Sequence, residues 1–320
     1  MSFSSKSVAE PAPYGAGSAH GPAIQRSPRL PGEWPDGLKI LALLSPALFL
    51  IVGLFLGGFV FGFQQSLGFL ELVGDDALSF DAYRRMLEDP AVQASLPLTF
   101  RISIISTVLS AILAVASALL IRSTKRGQKF LVWVFQLNIP IPHIVGAVAM
   151  LLLLQQSGYF SRFAYALGLV SSPAEFVPLI ADEFGVGIIA HYMWKEVPFI
   201  GVVVLAALQS GVSDYEEVAR TLGASSWKRF RYIIVPFIAP SVFSTSIIAF
   251  AFTFGSYEIP FLLGRPFPAA LPVVAIQSYN DSDLMSRPEA MATSVLITVF
   301  ISVLVYLYMR VSDRYTGGVR

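Results

Sequence analysis

Long apolar runs alternate with short polar clusters along almost the whole chain. Six runs are long enough, at 1.5 Å per helical residue, to cross roughly 30 Å of hydrocarbon. They lie at about Leu38–Phe63, Leu96–Ile121, Phe130–Leu154, Gly187–Gln209, Ile233–Phe254 and Met291–Met309. The pattern predicts an all-α membrane protein with six transmembrane helices. The halves of the chain show no matching repeat, which weakens a secondary-carrier reading.

Charge sets the expected orientation. Lys and Arg gather in alternate connections, at Lys6, Arg26, Arg29 and Lys39, then Arg122, Lys125, Arg126 and Lys129, then Arg220, Lys228, Arg229 and Arg231, and finally Arg310, Arg314 and Arg320. The opposite connections hold only Arg84, Arg85, Arg162, Arg265 and Arg287, and the first of them is acidic, with Glu71, Asp75, Asp76, Asp81, Glu88 and Asp89. The positive-inside rule places the first set, and both termini, in the cytoplasm. Composition agrees: the chain is 55% hydrophobic and 13% charged, with a mean hydropathy of +0.66. A net charge of +1 gives no field for nucleic acid. With no cysteines, disulfides, Cys-ligated zinc and Cys nucleophiles are excluded.

Residues 1–37 are rich in Pro, Gly, Ala and Ser and lack an apolar core, so a disordered cytoplasmic tail is expected rather than a cleavable leader. The run 38–63 then acts as an uncleaved anchor. Its "GLFLG" and "GFVFG" permit close helix contact, or simply reflect the frequency of Gly in membrane helices. A periplasmic loop over 64–95 and a cytoplasmic tail over 311–320 complete the expected organisation.

The most polar stretch of the second half, "SDYEEVARTLGASSWKRFRYIIVP", lies between two apolar runs on the expected cytoplasmic side. Ser213 with Glu216 three residues on forms a capping box. Tyr215, Val218, Ala219 and Leu222 then fall on one helical face, opposite Glu216, Glu217, Arg220 and Thr221. Gly223 is placed to stop the helix in a left-handed conformation. Ser225 or Ser226 can cap a second helix carrying Trp227 and Phe230 among Lys228, Arg229 and Arg231, and Pro236 leads into the next span. Periodicity alone leaves two readings open, an interfacial anchor or a docking surface for a soluble partner.

The same stretch resembles the signature loop of permease subunits of binding-protein-dependent ABC importers. In that loop Glu-Ala-Ala, three residues, Gly, nine residues and Ile-x-Leu-Pro follow one another. Here Glu217, Val218 and Ala219 are followed at the same spacing by Gly223 and by Ile233, Ile234, Val235 and Pro236, with Val218 in place of an Ala and Val235 in place of a Leu. "YMWKEVPFIGVVVLAALQS" and "ASLPLTFRISIISTVLSAILAVASALLI" are similar to other spans of the family, and the likeness covers about residues 96–308. It implies a MetI-like permease core over 96–310 with an extra N-terminal helix, and cytoplasmic coupling helices at 213–231. It also implies ATPase contact through Tyr215, Glu216, Glu217, Val218, Ala219, Arg220, Leu222, Gly223, Ala224 and Pro236. The implied partners are a pair of ABC ATP-binding subunits, a second permease, related but different, a periplasmic substrate-binding protein and membrane lipid.

No chemistry is expected of the chain itself. GxxxxGK[ST], HExxH and GxSxG are all missing, and His20, His143 and His191 form no ligand cluster by spacing. No cofactor is expected here, ATP and Mg being carried by the partner ATPase. Lys195 and Glu196, in "MWKEVPF", read either as an interfacial pair near the outer end of their span or as a substrate contact. In "FTFGSYEIPFLLG", Phe254, Tyr257 and Glu258 together with Trp194 are the candidate substrate path. A carboxylate beside aromatics suits an amine, and the stretch is similar to one in the polyamine-type branch of the family. An aromatic belt at the outer surface is the other reading. Asp281, Asp283 and Glu289 are candidates for meeting a binding protein. A small polyamine-like cation is the expected solute, with a sugar, phosphonate, iron or other anion as the alternative.

Overall fold

The computed structural model describes residues 36–69 and 78–316. Nearly all of the expected N-terminal tail, together with Glu71, Asp75, Asp76 and the end of the C-terminal tail, lies outside the described residues. Among the described residues every regular element is helical. Six helical stretches among the described residues are long and apolar enough to span a membrane: Gly37–Ser66, Pro90–Ser123, His143–Ala166, Val186–Gln209, Ser226–Gly255 and Leu284–Arg310.

The chain divides into two units, the first ending at Leu56. In the first, α1 (Asp36–Leu50) contains Pro46 and runs into a π-helical turn at Ile51–Leu56. Its side chains are apolar all round and exposed, Leu43 and Phe49 most of all. A helix without a polar face suits lipid on every side.

The second unit begins with α2 (Gly57–Ser66), α3 (Asp81–Glu88) and α4 (Pro90–Ser123). It continues through α5 (Gln128–Gln136), α6 (His143–Leu154), α7 (Tyr159–Ala166) and α8 (Val186–Gln209). The cluster α9 (Val212–Thr221) and α10 (Ser226–Arg229) leads into α11 (Val235–Gly255). Last come α12 (Glu258–Leu263), α13 (Leu271–Tyr279) and α14 (Arg287–Thr316).

The axis of the unit is the α4–α8 pair. Along α4 the residues Ser95, Thr99, Ser103, Ser106, Ser110, Ala114 and Ala118 recur at about every fourth position and are all buried. Small side chains in one row let another helix approach closely. The row that answers on α8 is Ile188, Tyr192, Glu196, Ile200, Val204 and Leu208, also at every fourth position and buried. Three apolar clusters follow one another along the pair. Val92 lies in the first, with α3, α13 and α14, Leu98 and Ile102 in the second, with α6 and α12, and Ala114, Ala118 and Ile121 in the third, with α9 and α11. The Thr99 hydroxyl, which accepts from the Leu271 amide at 2.8 Å, fixes the start of α13 on α4.

Several expected boundaries shift. The loop expected over 64–95 contains α3, and α4 begins at Pro90, where the Asp89 carboxylate accepts from the Ala91 amide at 2.8 Å and Pro occupies the first turn. The backbone of α14 runs six residues past Arg310, to Thr316. The largest correction concerns Phe130–Leu154. It is not one helix: α5 ends at Gln136 and α6 starts at His143, with Pro140 and Pro142 between them. Proline has no N–H for the helical ladder and clashes with the preceding turn.

Candidate functional site

The break between α5 and α6 lies against the middle of α8, and the two elements exchange hydrogen bonds. Pro142 has no N–H to offer the Asn138 carbonyl. The Lys195 ammonium of α8 donates to that carbonyl at 2.8 Å, to Ile141 at 2.7 Å and to Ile139 at 3.2 Å. In return, Pro198 leaves the Trp194 carbonyl without its helical donor, and the Asn138 side-chain amide donates to it. Gly146 makes the approach possible, since a Cβ there would stand 2.6 Å from the Trp194 ring.

Lys195 is 6% exposed and Glu196 5% exposed. They are not the interfacial pair that the sequence allowed. As neighbours on a helix they point in different directions, Lys195 to the broken span and Glu196 to α11. There Glu196 Oε1 accepts from the Thr253 hydroxyl at 2.5 Å. Its Oε2 is buried, and the Ser110 hydroxyl of α4 stands beside the carboxylate. A cavity of about 210 Å³ lies here, lined by Ile139, His143, Lys195, Glu196, Phe199 and Phe252 among others. His143 packs on Phe252 with ring centroids 4.6 Å apart.

The four residues expected to line a substrate path are not brought together in this cavity. Trp194 is half-buried beside His191, with ring centroids 6.0 Å apart. Phe254 is a correction: it is 1% exposed and packs against Phe100 and Phe300 at 5.0 and 4.8 Å, so its role is core packing. Tyr257 stacks on Phe261 at 5.0 Å. Glu258 is exposed at the start of α12 and close enough to His143 and Tyr192 to act on both electrostatically. Sequence reasoning missed Asn138, Thr253 and the part played by His143. The available signal was Pro-Ile-Pro with one Asn inside a supposed span.

At the other end of the α4–α8 pair, the polar stretch forms α9, α10 and the start of α11. The capping box does not form. Gly211, at φ +116°, starts α9, and Ser213 lies inside it. Glu216 instead forms an ion pair with Arg122 at the end of α4, whose guanidinium also donates to the Ser213 hydroxyl at 3.2 Å. Arg220 pairs with Glu217 at 3.3 Å. The helix stops at Gly223, with φ +81°, where the Ala224 amide donates to the Ala219 carbonyl at 2.9 Å and the Gly223 amide to the Arg220 carbonyl at 3.0 Å. Ser225 caps the next turn, accepting from the Lys228 amide at 3.4 Å. From Ser226 the chain stays helical to Gly255 through a π-helical turn at Phe230–Ile234, so the second short helix is the first part of the following span.

The apolar face of α9 is uncovered. Tyr215, Val218 and Leu222 are 63, 60 and 82% exposed. With Ala219, Tyr232 and Pro236 they edge an open apolar depression. Glu217 and Arg220 lie beside Arg122 and Glu216 along a separate polar hollow.

Comparison with known proteins gives this arrangement a context. Residues 89–317 match the family model described as "Binding-protein-dependent transport system inner membrane component". The chain is 25% identical over 276 residues to the trehalose/maltose transport system permease protein MalF of Thermococcus litoralis, covering 86% of this chain and 92% of that one. It is also 25% identical over 223 residues to the molybdenum transport system permease protein ModB of Mycobacterium tuberculosis, covering 69% of this chain and 80% of the relative. Among solved structures, a bacterial ABC transporter involved in the import of alginate matches at TM-score 0.73 and 20% identity, over 88% of this chain and 96% of that chain.

Proposed function

The chain belongs to the family of binding-protein-dependent transport system inner membrane components, and on that premise we propose that it forms half of the membrane path of an ATP-driven importer. It is a multi-pass membrane permease, not an enzyme. In this reading ATP and Mg are bound by a separate pair of ATP-binding subunits, a second, related permease supplies the other half of the path, and a periplasmic protein delivers the solute. Both termini and α9 then face the cytoplasm, as the distribution of Lys and Arg favours.

The observation that carries the reading is the uncovered apolar face of α9, with Tyr215, Val218 and Leu222 pointing away from the bundle. An amphipathic helix presented in this way fits a groove on a partner, with charges at the rim setting its register. Arg122 and Glu216 tie the helix to the end of α4, so that a push on α9 is passed to the α4–α8 axis. The spans then shift between two populations driven by nucleotide. Glu217, Arg220, Gly223, Ala224 and Pro236 complete the proposed contact.

The test is capture. The tagged full-length chain, extracted from its own membrane, retains an ATP-binding subunit, and Leu222→Glu loses that subunit while still inserting. Retention by the variant at the wild-type level refutes the docking role. For the solute, a small cation is the reading favoured by the uncovered Glu258 carboxylate near Tyr257. The names of the two relatives, one a trehalose/maltose and one a molybdenum permease, support a sugar or an oxyanion as the second reading.

A further inference from the structure

We infer that the turn joining α4 to α5, together with the exposed face of α5, is a docking surface for an anionic phospholipid. The inference goes beyond the importer reading and does not depend on it. The starting observation is an imbalance of charge. No carboxylate occurs between Asp89 and Glu175, and Lys125, Arg126 and Lys129 fall near the middle of that interval. All three side chains are exposed. None of them forms an ion pair among the described residues. At the other end of α4 the chain supplies its own counter-charges, Glu88 to Arg84 at 3.0 Å and Glu289 to Arg85 at 2.6 Å. Even Arg122, three residues before Lys125, is paired with Glu216.

Position selects the partner. The span Pro90–Ser123 ends just before this turn, which puts the three cations at the level of lipid phosphates. Along α5, Phe130, Trp133, Val134 and Leu137 recur at i, i+3, i+4 and i+7 and are all exposed. The opposite face is covered: Val132 and Phe135 pack on the core, and a Cβ at Gly201 of α8 would stand 2.6 Å from the Phe135 ring. The rings of Phe130 and Trp133 stack with centroids 6.0 Å apart, and Trp favours the headgroup level of a bilayer. The surface thus presents positive charge at one end and an apolar strip running from it toward the break before α6. A phospholipid has the same order, an anionic head followed by hydrocarbon chains. A free phosphate or an acidic peptide would use the charged end alone.

The test uses the full-length chain, which has no cysteine of its own. Ser123→Cys, exposed in the last turn of α4, carries a fluorophore. The chain is placed in nanodiscs of phosphatidylcholine with a minor share of phosphatidylglycerol. A nitroxide on the acyl chain, close to the head, marks one lipid or the other. Quenching per labelled molecule is expected to be roughly threefold or more stronger for phosphatidylglycerol, with the difference narrowing as salt is raised. Lys125→Gln, Arg126→Gln and Lys129→Gln together are expected to bring the two lipids level without moving the unfolding midpoint, since all three side chains are exposed. Equal quenching by both lipids in the wild type overturns the inference, as does a preference that survives the triple variant. Loss of the preference on adding inorganic phosphate at constant ionic strength also overturns it, in favour of a small-anion site. Loss of the captured ATP-binding subunit in the triple variant overturns it in favour of a protein-facing surface. The importer reading is tested separately, through Leu222 of α9, and an equal response to the two lipids leaves it standing.

Discussion

Lys195 closes the broken end of another helix: its ammonium lies 2.8 Å from the Asn138 carbonyl and also bonds those of Ile139 and Ile141. The Asn138 side chain returns a hydrogen bond to the Trp194 carbonyl, one residue before Lys195. Each helix thus supplies what a proline has removed from the other, Pro142 on one side and Pro198 on the other. Backbone groups in a bilayer must be satisfied within the protein, and here a charged side chain and an amide do it reciprocally. The pairing makes the α5–α6 break and the middle of α8 one mechanical piece, and the cavity beside Glu196 is built on it.

Lys195→Met is expected to destabilise the protein strongly. The methionine fills the space but leaves the Ile139 and Ile141 carbonyls without the ammonium donor and that of Asn138 with the Ile141 amide alone. The loss of charge-assisted hydrogen bonds at a buried site amounts to roughly 2–4 kcal/mol. The measurement is thermal unfolding in detergent, where a midpoint within a degree of wild type would show that the ammonium does not hold the break.

Asn138→Ala is expected to cost about 1–3 kcal/mol, because it orphans the Trp194 carbonyl. Pro198→Ala restores an amide N–H at the position where the helical donor for that carbonyl belongs. The double variant is therefore expected to recover part of the loss, a non-additivity readable in a double-mutant cycle. Strict additivity of the two changes would break the proposed exchange.

The number of spans was legible in the sequence because hydropathy over twenty residues is a local property. The course of the third was not. Ile139 and Ile141 keep the run apolar through the break, so hydropathy reads straight across Pro140 and Pro142. The role of Lys195 depends on a break more than fifty residues away, which no local pattern reports. The helix stop at Gly223 was legible from spacing, since a left-handed residue after an amphipathic turn favours Gly. The start of the same helix was misread. Ser213 and Glu216 have the spacing of a capping box, but Arg122 of α4 takes both side chains, and Gly211 makes the turn instead. Phe254 was misread for a related reason, since an aromatic near a span end serves a path or a core equally well until its neighbours are known.

Arg122→Ala is expected to lower uptake far more than stability. The Arg122–Glu216 pair is partly exposed, each side chain keeping about a fifth of its surface, so removal costs on the order of 1 kcal/mol or less in folding. On the proposed docking of α9, its position between α4 and α9 would make it a link for transmitted motion. ATP hydrolysis by the assembled importer continues while solute uptake per ATP falls severalfold. The exchange Arg122→Glu with Glu216→Arg is expected to restore part of the ratio. A proportional fall in both activities would place the pair in assembly rather than in transmission.

Gly223 separates folding from docking most sharply. Its φ of +81° is a left-handed conformation, and a Cβ built on it meets nothing within 4 Å in this chain. Substitution therefore acts through backbone strain, about 1–2 kcal/mol for an ordinary side chain and less for Asn or Asp, which tolerate that region. On folding grounds alone Gly223→Asp is mild and Gly223→Val is the worse of the two. On the proposed docking the order reverses, because a partner's groove would close over the open space around Gly223 and a charge there would have to be desolvated. Gly223→Asp is accordingly expected to insert, to unfold within a few degrees of wild type and to lose uptake almost completely. Gly223→Val should lower the unfolding midpoint further yet retain more transport than the Asp variant. Uptake at the wild-type rate in Gly223→Asp would leave α9 an interfacial anchor and nothing more.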